Sequence, residues 1–117
     1  MKCEKLDVWK RACRLSVEVY AYFKDNKDFA FKDQITRSSL SIASNIAEGM
    51  EKEYMKENIR FIEISKGSTA ELITQVYIGI EIYYIEKETG FKWIQEANEL
   101  LKMLNGLKRN LKTKENV

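Results

Sequence analysis

Between Ile59 and Tyr83, the residues Ile59, Ile62, Ser65, Thr69, Leu72, Val76, Ile80 and Tyr83 recur in steps of three or four. That spacing marks one side of an α-helix packed along another, close to a heptad seam. Proline is absent from the 117 residues and glycine occurs only five times, so nothing forces this helix to break. The same scarcity leaves few turn formers for a many-stranded β fold. The spacing predicts a helix over residues 54–85, roughly 45 Å long at 1.5 Å per residue and the longest element of the chain. Gly67 and Gly79 fall inside it at a cost of about 1 kcal/mol each relative to alanine. They read as points of close backbone approach, Gly79 also as incidental.

Three further helices follow from the same logic. Val8, Ala12, Leu15, Val19 and Tyr22 form an apolar stripe for a helix over 7–24, with Asp7 as N-cap and Leu6 before it as a staple residue. Asp25-Asn26-Lys27-Asp28 reads as a loop. A second helix is expected over 32–48, closed by Gly49 in the left-handed cap position. Glu88-Thr89-Gly90 reads as the last turn, followed by a helix over 91–111 with Ile94, Ala97, Leu101, Leu104 and Leu111 on one stripe. Lys112 to Val117 reads as a frayed polar tail. Four amphipathic helices with short loops predict an all-α, antiparallel up-and-down four-helix bundle, as one domain over 1–117. Trp9, Tyr20, Phe23, Phe61, Tyr77, Tyr83, Tyr84 and Trp93 are too many to face inward in so thin a bundle, which points to a subunit interface.

Composition excludes several kinds of chemistry. The chain has no histidine, so the Glu-x-x-His di-iron pattern, histidine zinc sites and histidine-based triads are out. Cys3 and Cys13 are too few for a thiolate cage or a disulfide framework, and no glycine-rich phosphate loop is present. Glu48, Glu63 and Glu71 remain as a carboxylate-only possibility, though exposed helix glutamates are the plainer reading. The expectation is no enzyme and no cofactor. The N-terminus MKCEKLDVWK resembles no signal peptide and no stretch reaches membrane-span length, so a reducing cytoplasm is the expected setting.

The second helix carries an unusual stripe. Gln34, Ser38, Ser41, Asn45 and Glu48 step by four and three, and a merely solvated face in this composition would carry lysine and glutamate instead. Small polar groups suit a tight inter-helix seam in which hydroxyls bond to neighbouring backbones. Ser65, Ser68 and Glu71 supply a matching set on the third helix. A ligand or nucleic-acid groove is the competing reading.

The run QITRSSLSIASNIAEG, Gln34 to Gly49 and including Arg37, closely resembles the signature of the four-helix-bundle proteins encoded in intervening sequences of bacterial 23S ribosomal RNA genes. Lys56-Glu57, Phe61-Ile62, Lys66-Gly67-Ser68 and Ala70-Glu71-Leu72 match its second half, and LDVWKRA at Leu6 to Ala12 its start. The resemblance covers about residues 6–85. The chain departs from it at Ala43, where the family often has proline, at Glu51, where it has a small residue, and at Tyr54, where it has serine. Ala43 should leave the second helix straighter, and Tyr54 removes the expected cap of the third. The resemblance implies a homo-oligomer, typically a pentameric barrel. It also implies kinship with the accessory proteins of diversity-generating retroelements, which bind reverse transcriptase and nucleic acid.

Charge gives the functional expectation. Residues 1–24 and 89–117 each carry a net +3, whereas 25–50 carry −1 and 51–88 carry −3. Oppositely charged helices lying side by side would explain this. A nucleic-acid surface built from Lys10, Arg11, Arg14, Lys102, Lys108, Arg109 and Lys112, repeated around a ring, would explain it as well. The leading expectation is a non-enzymatic, RNA- or DNA-associated oligomer. The alternative is a scaffold or accessory subunit that docks a protein such as a reverse transcriptase on exposed aromatics. An enzyme using Glu48 and Glu71 ranks last.

Overall fold

The computed structural model describes residues 1–115, which form a short 3-10 turn (Lys2–Lys5) and four helices, with no strand among them. The helices are α1 (Asp7–Phe23), α2 (Phe29–Met50), α3 (Met55–Glu81) and α4 (Lys87–Glu115). Each packs on the next, α4 closes on α1, and the diagonal pairs make no close backbone contact. The helices therefore stand at the corners of a square, in chain order around it. Phe23, Ile35, Ile42, Ile46, Ile62, Leu72, Leu100 and Leu104, wholly inaccessible, fill the centre. The molecule measures 50 × 21 × 20 Å. No described helix is long and apolar enough to cross a membrane.

The helix interiors follow the apolar periodicity, and the ends correct it. Asp7 is not an N-cap: it lies in the first turn of α1, and extended Leu6 is the boundary residue with no side-chain cap bond. α2 starts three residues ahead of the expected position because Asp28, read as loop, caps it, its Oδ1 accepting the Phe31 N–H at 3.1 Å. Its Oδ2 accepts the Tyr84 hydroxyl at 2.7 Å, and this bond, more than the cap, holds the Asp28 carboxyl below its ordinary range.

Gly49 is not a left-handed cap. No glycine has a positive φ, and α2 runs through it to Met50. A β-carbon there would stand 2.8 Å from Phe61 Cβ and 3.2 Å from the Asn58 carbonyl oxygen. Gly49 is glycine because α3 crosses against it. α3 begins at Met55 after Tyr54, which offers no side-chain cap.

The reversal between α3 and α4 falls earlier than Glu88-Thr89-Gly90, which lies in the first turn of α4. α3 ends at Glu81, and Tyr83 adopts φ 64°. The Tyr84 N–H bonds to the Gly79 carbonyl and the Tyr83 N–H to the Ile80 carbonyl, at 2.9 and 3.1 Å, which is a Schellman ending with tyrosine where glycine is usual. Tyr83 is thus 94% exposed instead of closing the seam. The close backbone approach expected at the interior glycines is found at neither, and only Gly79 is crowded, by side chains. A β-carbon on Gly79 would meet Ile85 Cδ1 at 2.5 Å, whereas one on Gly67 meets nothing within 4 Å. With the turn moved, α4 at 29 residues is longer than α3 at 27. The expected frayed tail is helical through Glu115; Asn116 and Val117 lie outside the described residues.

Candidate functional site

The serine-rich motif of α2 faces α3 and forms a hydrogen-bonded seam. Ser41 Oγ meets Ser68 Oγ at 2.8 Å, and Asn45 Nδ2 donates to Ser41 Oγ and to its carbonyl, each at 2.8 Å. Ser65 Oγ, fully buried, donates to the Ile42 carbonyl at 2.8 Å. Small side chains let the two backbones approach, and their hydroxyls find partners inside the contact. Ser38 is buried in the same seam. Gln34 and Glu48 are exposed at its edge, and Arg37 is exposed and pairs with Asp33 on its own helix at 2.9 Å. Gly67 and Glu71 point outward, so the α3 half of the motif is only partly seam.

Residues the periodicity did not single out complete it. Asn58 Nδ2 donates to the Gly49 and Lys52 carbonyls at 2.6 and 2.9 Å, tying the end of α2 to the start of α3. Ser39, placed on the apolar stripe, meets Ser16 of α1 at 3.1 Å. The available signal was a polar residue standing at an apolar position of each helix.

The basic positions divide into two groups. Arg11 of α1 forks onto Glu96 of α4, with Nε to Oε2 at 2.9 Å. Lys10 and Arg14 are exposed, and among the described residues no carboxylate pairs with either. Since Glu96 is level with Arg11, Lys108 lies about 18 Å further along α4 at 1.5 Å per residue, past the start of α1. There Lys108 reaches Glu63 of α3 at 2.8 Å, while Lys66 holds the same carboxylate at 3.3 Å. The Lys108 hydrogen bond foremost holds the Glu63 carboxyl below its ordinary range. Lys102, Arg109 and Lys112 are exposed on α4, Lys102 standing 3.7 Å from Glu99. Two of the seven cations are therefore structural ion pairs between helices.

Glu48, Glu63 and Glu71 do not converge: Glu63 is taken up by lysines, and Glu48 and Glu71 face outward. Among the described residues no group of three or more His, Cys, Asp or Glu is placed to hold a metal. Burial pushes both thiols above their ordinary range, so neither cysteine is an activated nucleophile.

The aromatic surplus is resolved in position. Phe23, Phe61 and Trp93 are buried, while Tyr20, Tyr77 and Tyr83 are exposed. Val17, Tyr20 and Leu40 flank an apolar groove of about 370 Å³ on the α1–α2 side. Tyr77 of α3 and Phe91 of α4 stack edge to face, 6.5 Å between centroids, on the α3–α4 side. In the square arrangement these two sides are opposite one another.

The profile of the family described as 23S rRNA-intervening sequence protein matches residues 4–106. Among solved structures, a protein with unknown function from the S23 ribosomal protein family of Bacteroides thetaiotaomicron superposes with a TM-score of 0.81. It is 23% identical, over 86% of this chain and 97% of that one, a likeness that speaks for the fold alone. No match is found among curated proteins.

Proposed function

The chain belongs to the 23S rRNA-intervening sequence protein family, and from that premise we propose that it is a non-enzymatic, self-assembling helical bundle that binds nucleic acid. The observation that carries this reading is the adjacency of α1 and α4. Folding sets α1 beside α4, the two helices that carry most of the +3 stretches of the chain, while Lys108 of α4 reaches across to Glu63 of the acidic middle. Supporting it, the two apolar sides differ in composition and lie opposite each other. Copies joined through unlike faces associate head to tail, which closes into a ring when the rotation permits. Joining through the α1–α2 and α3–α4 sides leaves the α1–α4 side uncovered in every copy. A modest basic surface, repeated around such a ring, becomes a substantial one.

Light scattering on nuclease-treated and untreated protein tests the proposal. The expected result is a mass several times the 13.8 kDa of one chain in both samples, with nucleic acid in the untreated one. A monomer free of nucleic acid at low salt would refute it. A second reading, docking of a partner protein, is favoured by Phe29 and Tyr83, 72% and 94% exposed near one end of the bundle. A stoichiometric protein partner retained at high salt after nuclease treatment would favour it over the first.

A further inference from the structure

The α1–α4 side carries a feature that neither the seam nor the ion pairs account for. Of the four neighbouring helix pairs, α1 and α4 are the least closely packed, and a trough runs between them. It consists of two cavities of about 430 and 480 Å³ that share Glu18, Lys92 and Trp93. Each is of the size that admits one small organic ligand. The floor is aromatic. Trp93 is 4% exposed, and the Tyr22 ring stands edge-on to it, 5.2 Å between centroids at 79°. Tyr22 is fixed in place because its hydroxyl accepts the Glu86 N–H at 2.9 Å.

The charged rim is divided in role. Arg11 is held by Glu96 across the helix pair and serves as a fixed wall. Arg14 is exposed with no ion-pair partner among the described residues, and Lys92 is only loosely near Glu88, at 3.7 Å with both side chains largely in water. Glu18 stands between them on the rim of both cavities. A bare phosphate or sulfate would be repelled by Glu18 as much as it gained from one cation. A nucleotide chain separates its charges: phosphates meet Arg14 and Lys92, while Glu18 accepts from a base amine or a 2′-hydroxyl.

We propose that the α1–α4 trough binds single-stranded nucleic acid, with Arg14 and Lys92 on successive phosphates and bases laid against the exposed ring of Tyr22, which rests on buried Trp93. The proposal rests on the nucleic-acid reading above and locates it. A single strand is required because bases stacked within a duplex cannot reach an aromatic floor between two helices, whereas unstacked bases can. The site lies away from Arg109 and Lys112, which serve only general attraction.

The two tryptophans make the test direct. In a Trp9→Phe background, Trp93 emission is titrated with a ten-nucleotide oligouridylate, and binding is measured in parallel by anisotropy of a labelled copy. The expected result is saturable quenching, a loss of affinity of about tenfold or more in the Arg14→Ala/Lys92→Ala variant, and a much smaller loss in Arg109→Ala/Lys112→Ala. Circular dichroism and light scattering must show both variants folded and assembled like the parent. Binding that leaves Trp93 emission unchanged and survives Arg14→Ala/Lys92→Ala would overturn the trough assignment while the nucleic-acid reading stands. Absence of binding to this oligomer, to structured RNA and to DNA at low salt would overturn both. Quenching by an acidic or basic peptide but not by the oligouridylate would give the trough to a protein partner and overturn it as well.

Discussion

Gly49 is a point of tight contact between α2 and α3, since a β-carbon there would lie 2.8 Å from Phe61 Cβ and 3.2 Å from a backbone oxygen. Neither neighbour is the free end of a flexible side chain, so Gly49→Ala must push the helices apart. The expected loss is about 1–3 kcal/mol in a urea melt, as for other overpacked positions. Asn58→Ala, which leaves the Gly49 and Lys52 carbonyls without their donor, should cost a similar amount, about 1–3 kcal/mol. Both changes act on one contact, so the double variant should lose less than the sum. Glu63 offers a pH test. Its lowered pKa means that its ion pair stabilises the fold above the ordinary glutamate range and is lost as pH falls through the lowered value. With the carboxylate 43% exposed, the contribution is small, below about 1 kcal/mol. In an NMR titration the Glu63 midpoint should lie below an ordinary glutamate and rise in Lys108→Ala. An unmoved midpoint would show that the Lys108 pair does not form in solution.

At the scale of elements, the α3–α4 turn is held by a tyrosine in a left-handed conformation, which is costly for any residue with a β-carbon. Because Tyr83 is 94% exposed, Tyr83→Gly should relieve that cost without touching the core. Stability should rise by about 1 kcal/mol in a thermal melt; a fall would mean that the ring is packed against another copy or a partner. The same residue shows where sequence was and was not legible. Helix interiors were readable because burial repeats with the helix period, and four helices emerge with most of the anticipated stripes buried, although Tyr22 is exposed and Leu100, beside the expected Leu101, is the residue wholly in the core. The polar stripe of α2 was readable as a seam because serine and asparagine occupied places where lysine and glutamate would be usual. Helix ends were not, because the markers misled: Gly49 and Gly90 sit inside helices to make room for Phe61 and Ile80, while the true turn bears no glycine. The trough was hidden for another reason. Arg14 and Lys92 are 78 positions apart in the chain, and no local spacing announces that Tyr22 and Trp93 form a floor between them.

For the whole molecule, the square order of helices ties charge to assembly. The α1–α2 side exposes Val17, Tyr20 and Leu40, the α3–α4 side Tyr77 and Phe91, and the α1–α4 side carries the trough. Leu40, 49% exposed on the α1–α2 groove, is a suitable probe. Leu40→Asp should reduce the mass in light scattering to that of one chain, with helix content retained, since it adds a charge to an apolar contact without disturbing the core. An unchanged mass would place the subunit contact elsewhere. Gly67→Ala distinguishes further. Nothing lies within 4 Å of the added carbon in one chain, so it should stabilise the fold by about 0.5–1 kcal/mol and leave assembly intact unless that face of α3 is itself a contact.

Assembly and nucleic-acid binding meet in one quantity, the salt dependence of affinity for single-stranded RNA. Two trough cations in one chain correspond to a slope of log affinity against log salt of about −1.4, at roughly 0.7 per phosphate. The wild-type assembly, measured on an RNA long enough to span several copies, is expected to give a distinctly steeper slope, and Leu40→Asp to fall back toward the single-chain value. A wild-type affinity that does not change with salt, or a slope identical in the two proteins, would contradict the proposal that self-assembly builds the binding surface.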